Sequence, residues 1–326
     1  MRFALVCPAP PRSRLGNRVT ALRWQAILRA LGHRVTISCD APVGPYDVLV
    51  ALHAFRSAEA VRVSRERYPE RPIIVALTGT DLYRDIREQP AAKRSLVLAD
   101  RLVVLHDRGA LALPRSMRAK TRVIRQSCPS PTSSSRVAAR TRRAGSTFDV
   151  AIVAHLRPEK DPLCAARAAR LLPQTSRLRI VHVGRALSED MRLAAEAEAL
   201  ANPRYRWLGE VSGAAARRQI ARADVLALTS ILEGGANVLG EAIACGTPPI
   251  ATRIPAATSA LGDRYPALFR VGDVAALARL FTRAETDAAF LADLRRATRA
   301  RKPLFEPKAE RAAWRALIAE LARLRR

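Results

Sequence analysis

Residues 229–248 read Thr229-Ser230-Ile231-Leu232-Glu233-Gly234-Gly235-Ala236-Asn237-Val238-Leu239-Gly240-Glu241-Ala242-Ile243-Ala244-Cys245-Gly246-Thr247-Pro248. The apolar run at 225–228 predicts a buried strand, residues 237–245 a helix and residues 249–251 a second strand, which together make a βαβ unit with parallel strands. A Gly-Gly turn separates the first strand from the helix. Backbone N–H groups at that helix start can face an anion, helped by the helix dipole, so a phosphate fits there. Glu233 precedes the turn and Glu241 follows it by one or two helical turns, so the two carboxylates can address different ends of one ligand, one at ribose hydroxyls and the other at a sugar hydroxyl. As an isolated pair they read more plainly as a loop charge and a helix-surface residue. The block as a whole carries the functional reading.

Outward from this unit the same rhythm recurs. In the second half, strands are predicted at 150–154, 178–183, 225–228 and 249–251, with helices at 161–172, 188–200, 214–221 and 237–245. In the first half, short apolar runs at 3–7, 35–39, 48–52, 73–77, 102–105 and 123–124 read as buried strands. Residues 17–31 carry Val19, Leu22, Ala26, Leu28 and Leu31 near one helical face and stop at Gly32. The expected fold class is therefore α/β, with two doubly wound, mainly parallel sheets facing a cleft. The Pro- and Ser-rich segment Ser127-Cys128-Pro129-Ser130-Pro131-Thr132-Ser133-Ser134-Ser135 breaks the rhythm. Domains are accordingly expected at 1–126 and 148–302, with a linker at 127–147 and a last helical segment at 303–326. Trp314, Leu317, Ile318, Leu321 and Leu324 give that helix an apolar stripe, to cap its own domain or to pack back on the N-terminal one.

Composition narrows the function classes. The chain has 326 residues, 49% hydrophobic and 26% charged, enough apolar material for two cores and against wholesale disorder. No apolar run approaches the ~18 residues of a membrane span, and the start of the chain does not read as a signal peptide, so a cytoplasmic protein without membrane insertion is expected. Five cysteines without a CxxC pair signal neither a disulfide framework nor a zinc site. The net charge of +27 attracts anions, yet 51 arginines and only five lysines are spread along the whole chain without a basic arm. An anionic small molecule is the expected partner, not a nucleic acid.

The motif at 229–248 resembles that of the retaining, family-4-type glycosyltransferases of the GT-B fold. Their hallmark is Ser-x-x-Glu-Gly, seven residues between two glutamates, then Glu-Ala-x-Ala-x-Gly-x-Pro, and Ser230, Glu233, Gly234, Glu241, Ala242, Ala244, Gly246 and Pro248 all match. Trp207-Leu208-Gly209-Glu210-Val211 resembles the family's strand and turn near the donor base, and Ala223-Asp224-Val225 its strand entry. The resemblance spans roughly residues 148–275. It implies a UDP-sugar donor, no cofactor, no metal, and donor contacts from Val211, Gly234, Gly235, Ala236, Asn237 and Glu241, with Glu233, Lys160 and Arg157 catalytic. One departure stands out: the chain has Ala154-His155-Leu156-Arg157-Pro158-Glu159-Lys160-Asp161, which puts His155 where the family carries arginine. Arg157, two residues on, can supply that charge to a diphosphate.

The first half adds Pro8-Ala9-Pro10-Pro11-Arg12-Ser13-Arg14-Leu15-Gly16-Asn17-Arg18-Val19-Thr20 between its first strand and helix, where an open α/β sheet binds ligands. Arg12, Arg14 and Arg18 with Gly16 and Asn17 make an anion cradle. The next strand ends bear Leu52-His53-Ala54-Phe55-Arg56-Ser57, then Leu77-Thr78-Gly79-Thr80-Asp81-Leu82-Tyr83, then His106-Asp107. Together these blocks look like the selenosugar synthases, which join selenophosphate to a UDP-sugar, usually UDP-N-acetylglucosamine, in selenoneine biosynthesis. That resemblance implies acceptor contacts from Arg12, Arg14, Gly16, Asn17, Arg18, Thr78, Thr80, Asp81 and His106, and a catalytic His53. The plainer alternative leaves the arginines solvated and the histidines as core or capping residues. Two rival functions remain: an ordinary glycosyltransferase acting on a lipid, glycan or small alcohol, and a sugar-nucleotide-binding protein on a degenerate scaffold.

Overall fold

The computed structural model describes residues 1–128 and 146–324, so most of the predicted linker at 127–147 lies outside the described residues. The chain divides into two compact units, Met1–Ser127 with Pro307–Arg326, and Cys128–Glu306.

The first unit holds a six-stranded sheet of β1 (Arg2–Val6), β2 (Arg34–Ser38), β3 (Val48–Leu52), β4 (Ile73–Leu77), β5 (Arg101–Val104) and β6 (Thr121–Val123), in the order β2-β1-β3-β4-β5-β6. Every pairing is parallel, with Phe3 opposite Val48 and Leu77 opposite Val104. Parallel strands need crossovers, and the helices on both faces bury both sides of the sheet. Alternation sorts the core accordingly. Phe3, Leu5, Val48, Val50 and Leu52 pack on one face, with Ala4, Val6, Leu49 and Ala51 on the other. The helix Pro307–Leu324 belongs to this unit. Its Trp314 meets Trp24 of the helix Gly16–Ala30 edge to face, with ring centroids 5.0 Å apart. Such a contact adds about 1 kcal/mol beyond the area it buries. Buried Glu310 fixes the helix start: Trp24 Nε1 donates to its carboxylate at 2.9 Å, and Ser127 donates both its N–H and its hydroxyl.

The second unit repeats the plan with β7 (Phe148–Val153), β8 (Leu178–Val183), β9 (Tyr205–Trp207), β10 (Val225–Leu228), β11 (Pro249–Thr252) and β12 (Leu268–Phe269). Their order is β12-β11-β10-β7-β8-β9, again parallel throughout. The strand and helix positions read from periodicity recur within a few residues, and residues 237–245 are helical as expected. Residues 161–172 differ. A 3₁₀ turn, Pro158–Lys160, precedes Asp161 in left-handed backbone, and the helix proper is Cys164–Arg170. Pro162 disfavours right-handed helical backbone at Asp161, which delays the helix. The helices Val274–Thr286 and Ala288–Ala300 were not anticipated; each is capped by an aspartate, Asp273 and Asp287, accepting from the first turn. Among the described residues no helix is long and apolar enough to cross a membrane.

Each strand order reverses once, between β1 and β3 in the first sheet and between β7 and β10 in the second. Open α/β sheets bind ligands beyond the strand ends at such switch points. Among the described residues, four that are not glycine have positive φ, Arg12 (66°), His53 (76°), Asp161 (38°) and Ala236 (46°). They lie on the segments leaving β1, β3, β7 and β10, the strands that flank the two switch points. Backbone strain of this kind, of order 1–3 kcal/mol per residue, concentrates where function over-determines the chain.

Candidate active site

At the switch point of the second unit, two loops are sewn together. The loop after β7 carries Arg157 and Lys160; the loop after β10 carries Ser230 and Glu233. Ile231 N–H donates to Glu159 O at 2.9 Å, and Thr229 Oγ1 donates to Lys160 O at 3.0 Å. These bonds bring Lys160 Nζ onto Glu233 Oε1 as an ion pair, and Ser230 Oγ donates to the same oxygen at 2.7 Å. Thr252 Oγ1, at the end of β11, holds Ser230 O at 2.7 Å from behind. Glu233 is 9% exposed, so the pair is shielded from bulk water and the attraction is little screened.

The chain then turns through Ala236 into the helix Asn237–Cys245. No side chain caps this helix start, and Asn237 Oδ1 is buried without a partner among the described residues. Gly240 is required by packing, since a Cβ there would sit 2.9 Å from the Phe305 ring. The helix is thereby seated with its N–H end at the strand edge. Glu241 lies half-buried one turn along. The expected donor group Gly234, Gly235, Ala236, Asn237 and Glu241 is thus contiguous with Lys160 and Glu233, while Val211 follows β9 on the far side of the sheet, half-buried.

A second clamp joins the exits of β7, β8 and β9. A Cβ on Gly184 would fall 1.8 Å from Ala154 O, so only glycine admits this approach. Trp207 Nε1 donates to Gly184 O at 2.8 Å, and Arg185 N–H donates to His155 Nδ1 at 3.1 Å. His155, in the family arginine's place, therefore serves as a loop tie, and the cations of this segment are Arg157 and Lys160. His182 sits beneath. It donates from Nε2 to Ala154 O at 3.0 Å and accepts from the Tyr205 hydroxyl at 2.8 Å. Burial depresses its pKa to about 4.

The first unit's switch point contains the expected acceptor residues, and here the structure divides them. Asp81 is fully buried, and its carboxylate accepts from three backbone N–H groups, Ala54 at 2.9 Å, Thr78 at 3.1 Å and Gly79 at 2.7 Å. Asp81, an expected acceptor contact, thereby ties the β3 and β4 exits together. His53, the expected catalytic histidine, is also held by internal partners. Its Nδ1 accepts from Arg56 N–H at 3.3 Å, and its Nε2 faces Thr80 Oγ1 at 3.3 Å and Asp85 at 3.6 Å. Both ring nitrogens and the Thr80 hydroxyl are engaged inside the protein, and burial holds the imidazole pKa down.

Elsewhere at this switch point single polar atoms stay open. Ser13 Oγ, Arg18 Nε, Thr78 Oγ1 and His106 Nδ1 are all buried atoms without a partner among the described residues. His106 Nε2 lies 2.9 Å from the Tyr83 hydroxyl, and burial depresses the ring pKa to about 4. The phenol is the stronger acid and imidazole the stronger base, so we assign the hydroxyl as donor, which puts the proton of the neutral ring on Nδ1. Arg12, Arg14 and Gly16 are exposed, and Asn17 is half-buried at the helix start. Ser13 and Tyr83 were missed by the sequence reading. A small hydroxyl between two arginines was the available signal for Ser13; Tyr83 offered none. Among the described residues, no group of three or more His, Cys, Asp or Glu could hold a metal ion.

A family model for group 1 glycosyl transferases matches residues 136–301. The chain belongs to the group 1 glycosyl transferases. Solved structures agree on the fold of this transferase. The HepE protein of Anabaena, solved in complex with UDP-glucose, is 17% identical with a TM-score of 0.76, covering 98% of this chain and 100% of its own. The sucrose-phosphate synthase of Thermosynechococcus elongatus is 18% identical with a TM-score of 0.77, covering 98% of each chain. An E. coli trehalose-6-phosphate protein, bound with UDP-2-fluoro glucose, is 13% identical with a TM-score of 0.72, covering 98% and 99%. The comparison with curated proteins gave no match. The GT-B fold is thus the one these transferases share.

Proposed function

We propose that this transferase moves a hexosyl group from a UDP-sugar to a small oxyanion, selenophosphate, to form a 1-selenosugar. The observation that carries the donor half is the pairing of Lys160 with Glu233 at a switch point, in front of a helix start whose Asn237 Oδ1 lacks a partner among the described residues. A diphosphate bound there takes Lys160, Arg157 and the helix N–H groups, releasing Glu233 to accept a hydrogen bond from the sugar. As the glycosidic C–O bond breaks, negative charge grows on the departing diphosphate, where fixed cations and N–H dipoles stabilise it most. Relatives solved with UDP or UDP-glucose support the donor class; the resemblance to selenosugar synthases favours UDP-N-acetylglucosamine.

The acceptor half is supported by the buried donors of the first unit, Arg18 Nε and His106 Nδ1–H, with the hydroxyls of Ser13 and Thr78 and the nearby charges of Arg12 and Arg14. These groups suit a compact anion that needs several hydrogen bonds, and selenophosphate arrives already ionised, so no general base is required. The nucleophilic selenium donates an electron pair to the anomeric carbon while UDP leaves with the electrons of the broken C–O bond, giving a hexosyl selenophosphate from which water, cleaving the Se–P bond, releases the 1-selenosugar and phosphate. Incubating the protein with selenophosphate and a panel of UDP-glucose, UDP-N-acetylglucosamine and GDP-mannose, with products followed by mass spectrometry, tests both halves. A selenosugar from a UDP-sugar is expected. Transfer only to a lipid or sugar alcohol overturns the acceptor, and binding without turnover overturns the enzyme reading.

A further inference from the structure

Two cysteines lie side by side where β1 and β2 end. The strands are parallel and in register up to Val6 opposite Ser38. The ladder continues one step, since Cys7 N–H donates to Ser38 O at 2.9 Å. Cys7 and Cys39 are therefore the next pair across neighbouring strands. Strands are spaced about 4.8 Å apart, within the Cα separation of roughly 4.4–6.8 Å that a disulfide spans. The side chains also converge, each thiol donating to the same oxygen, Ala9 O, at 3.7 Å. Both thiols are free; Cys7 is buried and Cys39, on the edge strand, is exposed. The chemistry derived above uses neither.

We propose that Cys7 and Cys39 form an oxidation site, a dithiol that hydrogen peroxide converts to an internal disulfide, and that this conversion weakens oxyanion binding on the loop between β1 and its helix. Cys39 meets the oxidant first because it is the accessible one. Its sulfur attacks one peroxide oxygen, the O–O bond breaks, and a sulfenic acid and one water result. The Cys7 sulfur then attacks the Cys39 sulfur, the S–O bond breaks, and the leaving hydroxide takes the Cys7 proton as a second water. Two thiols and one peroxide give one disulfide and two waters. Burial pushes the Cys7 thiol up, with the Arg18 guanidinium beside it pulling the other way. That setting suits a group that resolves a neighbour's sulfenic acid better than one that meets oxidant itself.

The disulfide removes both thiol donors from the carbonyl of Ala9, a buried residue. It does so in the segment that continues into Arg12, at φ 66°, and on to Arg18, whose Nε awaits a partner. A buried carbonyl stripped of its donors costs about as much as one hydrogen bond, and the loop must move to recover it. The effect on acceptor binding rests on the proposed function; the covalent chemistry does not.

The test treats the reduced full-length protein with hydrogen peroxide, alkylates the remaining thiols and maps peptides by mass spectrometry. A Cys7–Cys39 cross-link, reversed by dithiothreitol and absent from Cys39→Ser, is expected. Recovery of Cys39 as a sulfinic acid or bonded to another molecule, with Cys7 still alkylated after unfolding, overturns the proposal. In a second arm, the oxidised protein is expected to show a roughly tenfold higher KM for selenophosphate, equivalent to one hydrogen bond, with unchanged UDP-sugar affinity. Cys39→Ser should show no such rise. Unchanged acceptor kinetics in the cross-linked protein overturns the regulatory half. A reduced protein that ignores selenophosphate fails the acceptor reading and the regulatory half with it, while the peptide map still decides the covalent half.

Discussion

The two switch points are assembled from the same parts, namely a strand exit, a non-glycine residue in left-handed backbone and a helix start, yet they distribute polar valences differently. In the second unit, Lys160, Glu233 and Ser230 satisfy one another, and Asn237 Oδ1 is an atom of the group left without a partner among the described residues. In the first unit, Asp81, His53 and Thr80 form a closed knot, while Ser13, Arg18, Thr78 and His106 keep buried atoms open. A closed ion pair must be opened by its ligand, so that ligand has to bring charge of its own and exchange partners. Open buried donors need only be filled. Under the proposed function, this difference suits a donor side whose charged group departs during the reaction and an acceptor side that holds an anion.

The largest effect should come from opening the closed pair permanently. Lys160→Ala is expected to lower turnover about 100- to 1000-fold, as loss of one preorganised charge-stabilising donor does, with a smaller change in UDP-sugar affinity. Single-turnover kinetics separates the two. Turnover within a few-fold of the parent protein at saturating donor would place the leaving group elsewhere. Lys160→Met with Glu233→Gln should recover folding stability but not activity, since a neutral pair leaves no buried charge uncompensated.

Next in size is an acid limb set in the second unit. His182 keeps a pKa of about 4 when folded against an ordinary value of 6.5. Between those values the unfolded chain binds a proton that the native state refuses, so stability is full above pH 6.5 and falls as pH drops toward 4. Its loss amounts to ~3 kcal/mol over that window. His182→Gln keeps a donor for Ala154 O and cannot titrate, so chemical denaturation at pH 7 and pH 4.5 should show a smaller difference for the variant. An equal difference would assign the acid limb to other groups.

How much of this was legible in the sequence also differs between the units. In the second, the donor segment follows fixed spacing on one βαβ unit, so Glu233, Gly234, Asn237 and Glu241 could be placed from the string alone. What the string hid was the Lys160–Glu233 pair, because that contact depends on two loops 73 residues apart in sequence being sewn at Ile231 and Thr229. In the first, strand ends were readable from apolar runs, so the right segments were found. Which side chain of each segment faces a ligand was not, since Asp81 and Thr78 sit three positions apart and only backbone geometry decides which one turns inward to collect N–H groups. The helices Val274–Thr286 and Ala288–Ala300 escaped because no chemistry drew attention to them, although Asp273 and Asp287 were there as start signals.

Asp81 offers a direct way to sharpen that contrast. Replacing it with Asn presents an NH₂ group toward backbone N–H donors that previously shared a charged oxygen. Loss of charge-assisted bonds should cost about 2 kcal/mol of stability, read as a lower denaturant midpoint. Acceptor KM in the surviving folded fraction should stay close to that of the parent. A variant as stable as the parent but with impaired acceptor use would return Asp81 to the ligand side and dissolve the distinction between knot and cradle.

The smallest expected effect is the one that tests the cradle itself. Arg18 lies in the first turns of the helix Gly16–Ala30, and its Nε is buried without a partner among the described residues. With Nε already out of water, an arriving oxyanion gains a charge-assisted bond at a nitrogen that has no solvent to give up. Arg18→Ala should therefore raise the KM for selenophosphate several-fold, corresponding to about 1 kcal/mol, and leave UDP-sugar affinity unchanged. Arg18→Lys separates charge from shape: it restores a cation but not the planar fork, so KM should fall between the two. If Lys recovers the parent value fully, the loop acts as a diffuse positive field and Arg12 or Arg14 can substitute for Arg18. If Ala changes donor affinity as much as acceptor KM, Arg18 supports the fold of the β1 exit, and the open valences there do not form a separate acceptor site.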